Sequence, residues 1–201
     1  MVLKELKSIG DPKESPYEDI YLFNPEVDYS SVKFREDKLD TKWKRNSFQV
    51  SIGKKKKGLS GIAEDWVYWE WKEKKTAEEI QRFIGNEGPH PWIRVDKERS
   101  RIRYRMNEND VSSLMPTKEE NNATCSIEIV QLKLKKTKKN ISWWSLGLDL
   151  FSGKKVSKHE RSKMEEIAEY LLKDYPKKNA LNSSNSYSYP KLFSMNAKSI
   201  R

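Results

Sequence analysis

Arg101-Ile102-Arg103-Tyr104-Arg105 decides how this chain is read. Cationic and apolar residues alternate with a period of two, which is the period of a β-strand, so the three arginines share one side and Ile102 and Tyr104 the other. The pattern recurs in Val32-Lys33-Phe34-Arg35 and in Thr41-Lys42-Trp43-Lys44. Each of these strands has one basic face. Like charges on neighbouring strands repel, so such faces must either be solvated or converge on an anion. Carboxylates enter the same alternation as Glu70 with Lys72 in Tyr68-Trp69-Glu70-Trp71-Lys72, Glu128 between Ile127 and Ile129, and Asp149 between Leu148 and Leu150. A few acids among many bases suit a divalent cation shared with phosphate oxygens, with ordinary ion pairing as the simpler reading.

Outward from these segments, strand signals cover Asp19–Phe23, Ser31–Arg35, Leu39–Lys44, Phe48–Ile52, Ile62–Lys72, Trp92–Val95, Arg101–Met106, Cys125–Lys135 and Ile141–Phe151. Two segments carry helix signatures. Thr76 with Glu79 forms a capping box ahead of Ile80, Phe83 and Ile84, closed by Gly85; Ser157 with Glu160 repeats the device ahead of Met164, Ile167, Ala168, Leu171 and Leu172, and Pro176 follows. The expected fold is mainly β (α+β): an antiparallel barrel or tunnel of about nine strands with two or more short packing helices. A barrel that turns its apolar face outward against helices has its interior left for the charged face, giving a basic tunnel. Residues 1–16 read as a flexible N-terminal segment, 17–176 as the barrel domain, and 177–201 as a loose C-terminal segment carrying Ser186-Tyr-Ser-Tyr-Pro190 as an anchor.

Composition narrows the classes. The 201 residues include 40 Lys and Arg against 30 Asp and Glu, a formal charge of +10, which favours an anionic partner. Hydrophobic residues are only 35%, but 7 Trp, 9 Tyr and 6 Phe concentrate apolar area in few positions. The tryptophans Trp66, Trp69, Trp71, Trp143 and Trp144 are expected in the core rather than as a base-stacking platform. No apolar run reaches the length of a membrane span and the first ten residues lack an apolar signal core, so a soluble, cytoplasmic protein is expected. The sequons at Asn122, Asn140 and Asn182 then carry no meaning. Cys125 is the only cysteine and reads as a small buried residue, and with His90 and His159 it supplies too few ligands for structural zinc. Both histidines are expected on the surface. The Lys54 to Lys57 run between Gly53 and Gly58 reads as a solvated hairpin tip, an anion contact being the lesser alternative.

The order Asp19-Ile-Tyr-Leu-Phe, Val32-Lys-Phe-Arg35, Leu39-Asp-Thr-Lys-Trp-Lys44, Trp66-Val-Tyr-Trp-Glu-Trp-Lys72, Ser126-Ile-Glu-Ile129, Trp143-Trp-Ser-Leu-Gly-Leu-Asp-Leu-Phe151 and Ser186-Tyr-Ser-Tyr-Pro190 resembles the CYTH-like triphosphate tunnel proteins. The resemblance implies a tunnel whose Lys and Arg grip a triphosphate while carboxylates hold Mg2+ or Mn2+. By position it implies Lys33, Arg35, Lys42, Lys44, Lys72, Arg103 and Arg105 on phosphate, and Glu128, Glu70 and Asp149 at metal, with Glu128 and Glu70 the catalytic candidates. Two departures stand out. The Glu-x-Glu-x-Lys hallmark of the first strand is replaced by Glu18 followed by Ile20 and Leu22, and Glu128 is followed at the alternate position by Val130. The implied partner is a triphosphate-bearing small molecule or an RNA 5′ end, and the implied activity a metal-dependent triphosphatase. The alternatives are a basic nucleic-acid-binding module and a catalytically silent scaffold of the same fold.

Overall fold

A computed structural model describes residues 16–35, 38–52, 59–71, 79, 82, 92–106, 110–119, 124–135, 141–151, 157–172, 184 and 186–197. Alternation of apolar and charged residues builds eight strands: β1 (Tyr17–Leu22), β2 (Ser30–Arg35), β3 (Lys38–Ile52), β4 (Leu59–Trp71), β5 (Trp92–Arg105), β6 (Met115–Thr117), β7 (Cys125–Leu134) and β8 (Ser142–Leu150). They form one antiparallel sheet in the order β4-β3-β2-β1-β5-β7-β8, with β6 added beside the end of β5. The sheet is open, with β4 and β8 as its edges.

Among the described residues the sheet has eight strands where about nine were expected, for three local reasons. Leu39–Lys44 and Phe48–Ile52 are one strand, β3, because a bulge between Lys44 and Asn46 absorbs the polar interruption without ending the ladder. Trp92–Val95 and Arg101–Met106 are also continuous: the charged run between them pairs residue by residue with β7, from Val95 opposite Leu134 to Tyr104 opposite Cys125. Pairing, not propensity, holds that run extended. The short β6 went unread, and its Pro116 is tolerated because the strand pairs on one side only.

Helix α1 (Lys158–Leu172) starts at the expected cap, where the Arg161 amide donates to the Ser157 carbonyl, and its Ile167, Ala168 and Leu172 are buried. Ile167 and Leu172 pack with Ile102, Tyr104, Leu114, Cys125 and Ile127. At the other end of α1, the Arg161 guanidinium lies 4.3 Å over the Phe48 ring of β3. Helix α2 (Tyr189–Met195) has Pro190 in its first turn, where no amide hydrogen is required. Its Leu192 and Phe193 join a second core with Tyr21, Val95, Val130, Leu132 and Leu134. Burying two such side chains contributes roughly 1.5–3 kcal/mol each. The helix expected over Thr76–Gly85 lies outside the described residues except for Glu79 and Arg82, as do the Lys54 to Lys57 run and His90.

Candidate functional site: one charged face of the sheet

The register sorts side chains onto two faces. Asp19 lies one pair from Ile20 opposite Phe34, which places it level with Arg35; Tyr21 faces Lys33, Lys33 faces Asp40, Asp40 faces Glu70, and Lys42 faces Tyr68. In the other direction Tyr17 faces Lys97, Arg101 faces Glu128, Arg103 faces Ser126, and Ser126 faces Asp149. Partners across a ladder point to the same side. One face therefore carries Lys33, Arg35, Lys42, Lys44, Arg103, Arg105, Glu70, Glu128 and Asp149, all the expected site residues except Lys72, which lies outside the described residues. The same face adds Asp19, Asp40, Lys97, Arg99 and Arg101. Arg101 is read from the sequence as part of the basic face but not assigned to phosphate; the other four are not singled out, although Lys97 and Arg99 continue the alternation of the decisive segment.

The most buried part is centred on Asp19, which is 0% exposed. Arg35 grips its two oxygens through Nε at 2.6 Å and Nη2 at 3.0 Å, a bidentate pairing. Lys97 Nζ lies 2.8 Å from Oδ2 and Lys33 Nζ 3.8 Å away, while the Tyr21 hydroxyl donates to Oδ2 at 3.2 Å and accepts from Lys97 at 2.5 Å. Burial pushes the Asp19 carboxyl up, but Arg35, Lys97 and Lys33 outweigh it and hold the group well below the usual carboxylate range. Burial lowers Lys97 to about 7 despite Asp19, because the cation is enclosed by the Tyr21 and Tyr189 rings at 4.9 and 4.3 Å. Outward from this centre, Asp40 takes Lys33 at 3.0 Å and a hydrogen bond from Tyr68 at 2.7 Å. Tyr68 also reaches Glu70 at 3.0 Å, and Lys44 pairs with Glu64 at 3.2 Å.

The β5–β7–β8 part of the face differs. Among the described residues its carboxylates are Glu128 and Asp149, which are diagonal neighbours on adjacent strands. Arg99 approaches Glu128 at 3.7 Å, and the Ser126 hydroxyl donates to Asp149 at 3.3 Å. Burial and the Asp149 charge raise the Glu128 pKa, with Arg99 and Arg101 opposing. Gly147 makes room for this arrangement: a Cβ there would sit 3.0 Å from Glu128 Cγ. Tyr17 joins the two parts, with the Arg35 guanidinium 4.0 Å over its ring and that of Arg99 5.4 Å away. Glu70 and Glu128 lie on strands separated by β3, β2, β1 and β5 in the sheet order. Among the described residues no group of three or more His, Cys, Asp or Glu is placed to hold a metal ion.

The opposite face corrects a further expectation. Trp69, Trp71 and Trp144 are not core residues; they are 62%, 54% and 60% exposed, and Trp43 is exposed as well. A hollow of about 270 Å³ includes Glu18, Asp96 and Glu98 from this side, but their carboxylates are already paired with Arg94, Lys135 and Lys133. Cys125 is buried as expected, its thiol pushed up to about 11 by burial, and His159 is exposed. Among the described residues no helix is long and apolar enough to cross a membrane. Comparison of the chain with family models, with curated proteins and with solved structures returns no match.

Proposed function

We propose that the charged face lines the inside of a rolled sheet and binds a linear polyphosphate or the triphosphate of a nucleotide. The observation that carries this reading is that Lys33, Arg35, Lys44, Lys97 and Arg99 of β2, β3 and β5 share a face and are largely shielded from water, Lys97 to 3% exposure, with Lys42 and Arg105 of the same face exposed, while tryptophans of the other face stand in solvent. A face bent inward produces that inversion. Two contacts support the bend. Ser186 bonds to both backbone groups of Ile62 on β4, and three residues later the Tyr189 hydroxyl meets Ser145 of β8 at 3.2 Å. Side-chain reach plus three Cα steps of 3.8 Å spans at most about 30 Å. Laid flat, Ile62 and Ser145 are six strand spacings and about 14 residues of register apart, roughly 55 Å. Likewise, six residues of α1, about 9 Å, connect Arg161 over Phe48 to Ile167 beside Ile102. Both contacts fit a barrel-like roll.

Phosphate oxygens suit the arginines of β5 because the guanidinium fork matches them in pairs. A magnesium or manganese ion fits the Glu128 and Asp149 pair in one respect: burial and the Asp149 charge raise the Glu128 pKa, and a cation would offset both. Those two would hold it with phosphate oxygens completing its shell, and it would supply charge neutralisation at the phosphoryl group. Glu70, bonded to Tyr68, is better suited to positioning than to the metal. The test is calorimetry with tripolyphosphate, alone and with each metal, followed by phosphate release from tripolyphosphate, thiamine triphosphate, ATP, GTP and 5′-triphosphate RNA. Binding weakened by Arg103→Ala is expected; no binding under any condition rejects the reading.

A second reading has its own observation. Trp43, Trp69 and Trp71 are exposed on adjacent strands of the outer face, an arrangement on which bases of a single-stranded nucleic acid could stack. Quenching of tryptophan fluorescence by a single-stranded oligonucleotide, lost in Trp69→Ser with Trp71→Ser, would favour it over the channel.

A further inference from the structure

Helix α2 occupies the charged face rather than the outside. Tyr189 reaches Ser145 and covers Lys97, and Phe193 packs edge-on against Tyr21 at 5.3 Å and against Trp143 at 6.4 Å. All four of these partners lie on the face that carries the cations. The helix is tied there from both sides: Ser186 holds the edge of β4, and Ser194 donates to the Pro25 carbonyl at 2.6 Å. Along β5 the cations sit at every second residue from Arg105 to Lys97, with the Arg105 end exposed and the Lys97 end sealed by Tyr189. Successive cations on this ladder are about 6.6 Å apart. The ladder thus starts in solvent and ends against an aromatic wall.

We infer that α2 is a stop at one end of the channel, so that the site takes the free end of a linear polyphosphate, entering past Arg105, and refuses a chain that would pass through. The inference rests on the proposed anion-binding channel and adds a blind end to it. Inorganic polyphosphate and the triphosphate tail of a nucleotide share the required chemistry: a terminal run of phosphoryl groups with nothing attached beyond. An aromatic wall suits such a terminus, because Tyr189 stacks on Phe193 beside Lys97, and Phe193 is buried, which makes moving it costly.

The experiment is the stoichiometry of binding to linear polyphosphates of several defined lengths, measured by calorimetry and by sedimentation. End-on entry gives at most two protein molecules per chain, one per terminus, however long the chain. A number of bound proteins that grows in proportion to chain length overturns the stop while leaving the channel intact. Absence of tripolyphosphate binding removes the channel reading and the stop together. A variant with Tyr189→Ala and Phe193→Ala is expected to convert constant stoichiometry to length-dependent stoichiometry if it folds; the wild-type measurement decides the matter if it does not. Competition separates the two sources: ATP displacing tripolyphosphate extends end-on entry to nucleotides, and failure to displace confines it to inorganic chains.

Discussion

Asp19 and Glu128 lie on the same face of one sheet, yet their environments shift them in opposite directions. Asp19 is fully buried and still strongly acidic, because one guanidinium and one ammonium touch it at 2.6 and 2.8 Å. Glu128 is less enclosed and is harder to ionise, because Arg99 stands 3.7 Å away and Asp149 adds a like charge. Contact distance and the count of opposite charges outweigh burial in the first case and fail to do so in the second. The β1–β2 side of the face is a completed charge centre that holds strands together. On the β5–β7–β8 side two acids stand beside each other, and it is there that we propose an anion or a cation would change the balance.

The largest test of that contrast is Asp19→Asn. Removing the carboxylate leaves Arg35, Lys97 and Lys33 crowded and partly buried, so a loss of about 3–5 kcal/mol in denaturant unfolding is expected. A loss under about 1 kcal/mol would contradict the idea of a completed centre. On the other side, Arg103→Ala is expected to weaken tripolyphosphate binding by roughly 10- to 100-fold, the worth of a charge-assisted contact, with unfolding little changed. Equal losses in both measurements would erase the distinction between the two regions.

Acid titration reads the difference as a sign. Asp19 has a folded pKa below its ordinary 3.8, so its stabilisation is present above that pH and is lost as the pH falls through the folded value; Asp19→Asn should flatten the acid limb of the stability curve. Glu128 has a folded pKa above its ordinary 4.5, so it costs stability as the pH rises from about 4.5 through the folded value. Glu128→Gln is therefore expected to leave stability at neutral pH equal or slightly higher. A clear destabilisation by that variant would show Glu128 to be a structural ion-pair partner like Asp19. The smallest effect belongs to the outer face: Trp69→Ser, at a position 62% exposed, should change stability by less than about 0.5 kcal/mol.

Alternation made the charged face legible from the chain alone. Arg103, Arg105, Lys33 and Arg35 could be assigned to one side because a strand fixes side-chain direction by count. What could not be read was which acids would meet them. Asp19 sits between Glu18 and Ile20 and looks like a strand terminus; its role comes from β2 and β5, whose Arg35 and Lys97 are 16 and 78 residues away in sequence. The tryptophans misled for a related reason. Large aromatic residues are normally buried, but here burial depends on which way the sheet bends, a property of the whole ladder and of the contacts made by α1 and α2. Phe193 lay in a segment read as loose and Tyr189 in the anchor expected within it, and only long-range packing reveals that both enter the charged face.

The proposed roll of the sheet underlies the proposed channel and its blind end. A spin-label distance between Ile62→Cys and Trp144→Cys, in a Cys125→Ser background, measures it directly, since both positions are exposed and lie on opposite edge strands. Six strand spacings and the register offset give about 50 Å for a flat sheet, whereas the contacts through Ser186 and Tyr189 require about 30 Å or less. A narrow distribution at or below about 30 Å is the expected result. A distribution centred near 50 Å would leave the cations on an open surface and contradict the channel.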